Sequence, residues 1–483
     1  MDASALLALD AGTLSRRIAA REVSCRELMQ ASLDRIAALN PVHNAIVSLR
    51  ERDELLAEAD AHDATLSRGE LAGWMHGFPV AVKDLSDAQG LPTTQGSRTS
   101  GGRIAAGDAL FVQRMKKAGA IVIGKTNTPE FGLGSHTFNE VFGITRNAWD
   151  PSRSAGGSSG GAAVALALGM VPVADGSDFG GSLRNPAAFN NVVGFRPSRG
   201  RVPAVPAEDV FYAQLGTEGP MARTTEDCAR LLCTMGGWDD RAPLSLADPL
   251  PDPSSADLLA AEPGRRIGWL GPIWPDLPLE PGIVELCEAA LRKLQDAGFE
   301  VEPCTLDVPR EVNWSAWLVL RQMLTGGKLR AVHADPRLRE LMKPEARWEV
   351  EQGLQLTAPE LYQASVHRTQ VYQALRRLFE RYDCLVAPSA QVFPFDAQLD
   401  WPHSIAGVTM DTYHRWMEIV TPFSLAGLPV ASVPVGFSAG GLPMGMQLVG
   451  PARADLRVLA LARAFETVAP WTTHRPPALQ AAT

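Results

Sequence analysis

Two glycine-flanked serine clusters and one lysine carry the residue types that acyl chemistry needs. The first cluster reads Ser154-Ala155-Gly156-Gly157-Ser158-Ser159-Gly160-Gly161, the second Gly176-Ser177-Asp178-Phe179-Gly180-Gly181-Ser182-Leu183-Arg184. Upstream, the apolar run Phe78-Pro79-Val80-Ala81-Val82 ends on Lys83-Asp84. Glycines beside a serine let backbone N–H groups crowd toward one point, and such a point can hold the oxyanion of a tetrahedral acyl intermediate. Ser182 follows Gly180-Gly181 and precedes an expected helix start, so amides of the turn and of the helix N-terminus would converge on an atom bonded to its oxygen. A serine hydroxyl is a weak nucleophile until a base takes its proton. Ser158 can relay that proton, because the chain between the two serines suffices for a helix and a return strand that set the turns side by side. Lys83 can be the base if burial or nearby dipoles leave it neutral. An ion pair with Asp84 would oppose that.

Other readings of these residues explain less. Gly156-Gly157-Ser158-Ser159-Gly160 fits the G-x-S-x-G nucleophile elbow. That reading makes Ser158 the nucleophile, takes its base from His333, His367, His403, His414 or His474, and leaves the second cluster without a job. Glycine–serine linkers would explain neither the pairing nor the lysine. A phosphate-binding loop lacks its Gly-Lys-Ser/Thr ending. On spacing alone Lys83 also reads as an ordinary exposed lysine at a strand end.

The elements that must position these residues alternate. Residues 1 to about 70 show helical periodicity, with Leu28, Leu33, Ile36 and Leu39 at helix-compatible spacing. A strand is expected over 77–83, a helix over 108–118 with Asp108 as N-cap, and a strand over 120–124. Between the clusters, 162–168 reads as a buried helix and 171–174 as a short buried strand. Beyond a Pro-rich stretch, strands are expected at 266–270, 299–301, 384–388 and 431–435, helices at 283–297 and through 310–380. This is the pattern of an α/β layer protein.

Composition narrows the class. The 483 residues are 46% hydrophobic and 20% charged with a net charge of −9, which argues for a folded globular chain and against a nucleic-acid partner. The six cysteines, Cys25, Cys228, Cys233, Cys287, Cys304 and Cys384, are scattered and form no CxxC pair, so reduced thiols are expected rather than disulfides or zinc. The N-terminus lacks the pattern of a signal peptide and no stretch is a convincing membrane span, so a soluble cytoplasmic protein is expected.

The stretch from Arg153 to Pro186 closely resembles the signature of the amidase signature family, whose pattern is Gly-Gly-Ser-Ser-Gly-Gly, a small-residue helix, then Gly-Thr-Asp-x-Gly-Gly-Ser-Ile-Arg. The resemblance extends over most of the chain: Gly77 to Asp84, Gly124-Lys125-Thr126-Asn127, Val193-Gly194-Phe195-Arg196-Pro197-Ser198, Leu425-Ala426-Gly427-Leu428-Pro429 and Gly441-Leu442-Pro443-Met444-Gly445. It implies a single amidase domain over 1–483 with a mixed central β-sheet covered by helices on both faces. Within it stand a helical N-terminal layer (1–70), a catalytic core (77–240), a Pro-rich excursion (241–283) and a C-terminal half that completes the sheet and pocket (284–483).

By the same resemblance Ser182 is the acyl-forming nucleophile, Ser158 the bridging serine on a cis peptide bond, and Lys83 the base and later the acid. The N–H groups of Phe179, Gly180, Gly181 and Ser182 would line the oxyanion hole, with Ser159 and Asp178 holding the turns behind them. Ser177 stands where the family has threonine. The implied reaction is hydrolysis of a carboxamide through an acyl-serine, without metal or organic cofactor, on a small-molecule amide. The same chemistry extends to carbamates, anilides and esters. The pocket is expected to draw on Leu133, His136, Phe179 and Met417, on the 310–345 helices and on 401–416. The alternative within the family is the glutaminase component of a tRNA-dependent amidotransferase complex. That component is expected to place an acidic residue for the substrate ammonium shortly before Leu-Ala-Gly-Leu-Pro. Here Met417 takes that place, with Glu418 beside it, and an apolar pocket on a stand-alone hydrolase, expected as a homodimer, fits better. A scaffold without activity would not be expected to keep Lys83, Ser158 and Ser182 together.

Overall fold

Along the strand Cys384–Pro388, Val386 enters one hydrophobic core while Leu385 and Ala387 enter another. That division is the period-two consequence of a strand covered on both faces. The strand belongs to an eight-stranded sheet with the order Val173–Asp178, Thr217–Ala222, Val193–Arg196, Val430–Phe437, Pro443–Val449, Cys384–Pro388, Arg266–Trp269, Glu300–Pro303. Pairing is antiparallel from Val173–Asp178 to Cys384–Pro388 and parallel across the last three strands. The sheet is therefore mixed, as expected. One face packs against Cys287, Leu291 and Leu294 of helix Ile283–Asp296 and Leu459 and Phe465 of helix Asp455–Val468. The other packs against Ala188 and Phe189 of helix Arg184–Asn190 and Val371 and Leu375 of helix Ala358–Leu378. This computed structural model describes residues 2–255, 258–259 and 265–480. Part of the Pro-rich segment thus lies outside the described residues.

Lys83 is not on that sheet. Its strand, Pro79–Lys83, runs parallel to Ile121–Thr126, which pairs antiparallel with Ile46–Val47 in a separate three-stranded sheet. The two sheets are tied where the Asp175 carboxylate accepts the Lys83 backbone N–H, at 3.2 and 3.3 Å. The N-terminal layer is helical apart from the short strand Ile46–Val47, and Ser24 and Glu27 close a reciprocal capping box on helix Cys25–His43. Among the described residues no helix is long and apolar enough to cross a membrane.

Two boundaries differ from expectation. The helix expected from Asp108 starts at Leu110 behind an extended Ala109. Asp108 instead accepts the Gln89 N–H at 2.7 Å and pairs with Lys116 at 2.8 Å, so its carboxylate serves a loop and the last turn of the helix rather than the first. The strand expected over 171–174 runs from Val173 to Asp178, because ladder pairing with Thr217–Ala222 continues through Gly176-Ser177-Asp178. The first part of the second cluster is strand, and only the part from Phe179 onward is turn.

The small-residue helix between the clusters, Gly160–Ala167, is buried along its whole length. A Cβ on Gly161 would meet the Asn127 nitrogen at 2.4 Å and the Ala45 carbonyl oxygen at 2.6 Å, so only glycine lets the helix lie against the small sheet. Gly161→Ala is expected to destabilise the protein by about 1–3 kcal/mol, since the obstruction is backbone. Gly327→Ala, in a helix position with open space around it, is expected to be neutral or stabilising by up to about 1 kcal/mol. Thermal unfolding midpoints of the two variants check the contrast.

Candidate active site

Lys83 is fully buried, and among the described residues its ammonium meets only neutral oxygens. Nζ lies 2.8 Å from Ser158 Oγ, 2.9 Å from Ser159 Oγ, 3.0 Å from Ser177 Oγ and 3.4 Å from the Ser177 carbonyl oxygen. Burial brings its pKa down to about 8, against the opposing pull of the Glu218, Asp175 and Asp178 carboxylates. Asp84 does not oppose this. It accepts from the Thr94 hydroxyl and, at 3.1 Å, from the Thr94 N–H, and it stands 3.9 Å from Lys125. Alternation along an extended chain turns neighbours to opposite sides.

The two serine turns are joined. The Gly157–Ser158 peptide bond is cis, and a Cβ on Gly157 would stand 2.9 Å from the His136 nitrogen. The Ser159 N–H donates to the Ser182 carbonyl at 3.2 Å, so the second turn hangs directly on the first. Ser159 also accepts the Ser177 N–H at 3.3 Å. Ser182 is 7% exposed, and among the described residues its hydroxyl has no hydrogen-bond partner. The Ser158 hydroxyl is held by Lys83 instead.

Asp178 fixes the second turn. Its carboxylate accepts the N–H groups of Gly181 (2.9 Å) and Leu183 (3.1 Å), Arg184 Nε and Nη2 (both 2.9 Å) and Arg196 Nη1 (3.2 Å). Burial alone would raise its pKa. Arg184, Arg196 and the Gly181 amide outweigh burial and hold it well below the usual carboxylate range. One expectation is thereby narrowed: the Gly181 N–H is taken by Asp178, which leaves Phe179, Gly180 and Ser182 as the amides that can serve an oxyanion. Gly180 can carry a side chain only if the turn or Trp317 shifts, because a Cβ there would stand 2.3 Å from Cη2 of Trp317.

The surrounding wall is aromatic and apolar. Phe179 meets Trp317 edge-on, with ring centroids 5.6 Å apart, and lies under the Arg321 guanidinium at 5.3 Å. Arg321 is held by Glu349 Oε1 and by the Tyr413 hydroxyl, each at 2.6 Å, and Tyr413 donates to Glu349 at 2.5 Å. Leu133 packs with Leu329, Met342 and Tyr413, and its carbonyl accepts Lys343 Nζ at 2.6 Å. The His136 ring points elsewhere, held between Ser154 Oγ (2.7 Å) and the Ala397 carbonyl (3.1 Å), and burial brings its pKa down to about 4. Its ring thus meets the start of the first cluster at Ser154, while its backbone lies against Gly157 beside Ser158. Met417 lies in the second core with Phe395 and Trp416. From that segment Val420 reaches the turn, its Cγ2 being 2.9 Å from where a Gly181 Cβ would stand.

Five histidines were candidates for the elbow reading, and none meets Ser158. His333 faces Glu351, His367 faces Ser315, His403 faces Asp400, His414 faces Thr412 and Glu349, and His474 faces Thr473. Residues that sequence reasoning missed are Ser177 as a Lys83 partner, Trp317 and Arg321 over Phe179, and Val420 behind Gly181. Ser177 had a signal, being two residues before Phe179 inside the quoted motif. Trp317 and Arg321 lie in the 310–345 helices expected to line the pocket, though neither was singled out, and Val420 lies just beyond the expected 401–416 segment.

The family model described as Amidase matches residues 27–459. Relatives include a glutamyl-tRNA(Gln) amidotransferase component from Acidothermus cellulolyticus, 35% identical across 96% of this chain and 95% of its own. An acylamidase of Rhodococcus erythropolis is 32% identical across 97% of each chain. Among solved structures, a bacterial aryl acylamidase superposes with a TM-score of 0.89 at 31% identity, over 96% of this chain and 97% of its own. With the family model spanning most of its length and relatives this similar from end to end, the chain belongs to the amidase signature family of hydrolases that act on amide C–N bonds.

Proposed function

We propose that the protein hydrolyses hydrophobic or aryl carboxamides through an acyl-Ser182 intermediate, with Ser158 as proton relay and Lys83 as base. The observation that carries this reading is the 2.8 Å contact between Lys83 Nζ and Ser158 Oγ in a pocket of neutral oxygens. In the attack, Ser182 Oγ bonds to the amide carbonyl carbon and passes its proton to Ser158, which gives its own to Lys83. The Phe179, Gly180 and Ser182 amides receive the negative charge on the carbonyl oxygen. Lys83 then returns a proton by the same route to the leaving nitrogen as the C–N bond breaks, and water repeats the sequence on the ester. Substrate closes the Ser182–Ser158 contact, as hydrogen bonds at catalytic centres commonly tighten only in the complex.

The walls support an apolar acyl or amine group. Phe179, Trp317, Leu133 and Tyr413 surround the site. Glu418 is not on offer to a substrate ammonium: Arg310 grips it at 2.8 and 3.0 Å and Arg415 stands at 3.3 Å. The glutaminase reading is favoured by the amidotransferase relatives and is tested by the same assay. Purified protein is expected to hydrolyse anilides or other aryl amides, with carbamates and esters as secondary substrates, and to leave glutamine intact. Glutamine turnover that appears only with partner proteins of an amidotransferase complex would reverse the choice.

Ser182→Ala is expected to abolish turnover and fluorophosphonate labelling, whereas Ser158→Ala retains a slow, weakly pH-dependent labelling. The reverse ranking would favour Ser158 as nucleophile. Because cationic Lys83 cannot accept a proton, kcat/KM is expected to rise with pH through about 8 and then level off. A profile flat from about pH 6 to 10 would argue against Lys83 as base. Gly180→Ala is expected to lower kcat about 100-fold with little change in fold, since displacement of the oxyanion turn by Trp317 misplaces its amides. Steady-state kinetics beside a thermal melt check that separation.

A further inference from the structure

Glu218 stands directly opposite Ser177 in the antiparallel register of Val173–Asp178 with Thr217–Ala222. Directly opposed residues project to the same face with Cβ atoms about 4.5–5.5 Å apart. The Ser177 hydroxyl is on Lys83 Nζ at 3.0 Å, so the Glu218 side chain rises from the sheet beside the same ammonium. Its Oε2 is buried and has no hydrogen-bond partner among the described residues. A buried carboxylate without hydrogen bonds is costly unless a cation shares its pocket.

The charges that face it are few. Lys83 comes from the small sheet, Asp175 from the neighbouring strand and Lys328 from helix Arg310–Ala334. Asp175 is engaged by the Lys83 backbone amide, Asp178 by Arg184 and Arg196, and Lys125 by Asp84. Among the described residues, Glu218 alone of the carboxylates near Lys83 has no side-chain hydrogen bond or contact ion pair, and it exerts the largest upward pull on the lysine. Burial raises Glu218 to about 7, close to Lys83 at about 8, so the two titrate as a pair.

We infer that Glu218 is a positioning residue for the reaction, whose carboxylate sets the base strength of Lys83 and stabilises the ammonium formed when Lys83 takes the proton from Ser158. This rests on the reading of Lys83 as base. With Glu218 ionised, the proton moves from the serines onto Lys83 toward a waiting negative charge. When Lys83 returns the proton to the leaving nitrogen, the same charge remains and no further atom is exchanged.

The test uses fluorophosphonate labelling of Ser182, which needs no identified substrate. Its rate is followed against pH for wild type, Glu218→Gln, Glu218→Asp and Lys83→Ala, beside thermal melts. Glu218→Gln is expected to fold, to shift the acidic limb about one unit toward lower pH and to lower the plateau several-fold, because removing the negative charge makes Lys83 a weaker base. Glu218→Asp is expected to return the limb toward its wild-type position. Lys328→Met, an exposed change, removes the cation that shares Glu218 and is expected to move the limb up. A uniform loss at every pH with the limb in place would mean a structural role only and would overturn the inference. An unchanged limb in Lys328→Met would overturn it too, even if Glu218→Gln failed to fold. Labelling of Lys83→Ala at the wild-type rate would instead remove the base reading beneath it.

Discussion

The site depends on one buried ammonium that touches hydroxyl and carbonyl oxygens and no carboxylate. Neutral dipoles hold a lysine in place without dictating its charge, whereas a carboxylate in contact would lock it as a cation. The fold arranges this by engaging nearby acids elsewhere. Asp84 is turned across the strand to Thr94 and Lys125, Asp175 is bound to a backbone amide, and Asp178 is clamped between two arginines.

That arrangement requires segments far apart in the chain to approach to backbone distance, and glycine permits it where it matters. The absent side chain of Gly161 lets the small-residue helix lie on the small sheet, and that of Gly180 lets the second turn slide under Trp317. Arg184 then draws the late segments in, with Nη1 on the Val420 carbonyl at 2.9 Å and on Gln447 at 2.7 Å. The turn that carries Ser182 is thus held from the sheet below and from the C-terminal half above.

Much of this was legible in the residues. The clusters, the lysine and the strand–helix alternation located the two serine turns and the sheet because each is local: glycine frees a turn, and apolar runs bury. Asp84 beside Lys83 was legible as a problem, and its solution was not, since the partner that draws it away sits on another strand. Asp178 was expected to hold the turn, but its claim on the Gly181 amide depends on which way a carboxylate faces. His136 and Met417 sit near the site in the chain, yet their side chains go to Ser154 and to the second core. The direction of a side chain is set by tertiary packing, which local pattern does not carry. Glu218 lies far along the chain from Ser177 and became its neighbour only through strand register.

The contact between Trp317 and Gly180 has a further meaning for how such a protein could change its substrate. The serine turns and the buried lysine lie between Lys83 and Arg196, whereas Trp317, Arg321, Leu329, Met342 and Tyr413 come from the later chain. The two parts meet at the Trp317 indole over Gly180 and at Val420 beside Gly181. Leu329, Met342 and Tyr413 pack with Leu133. A change at Trp317 alters both the ring packed on Phe179 and the seat of the second serine turn. On the proposed reading, that ring couples what the protein accepts to how fast it can act on it.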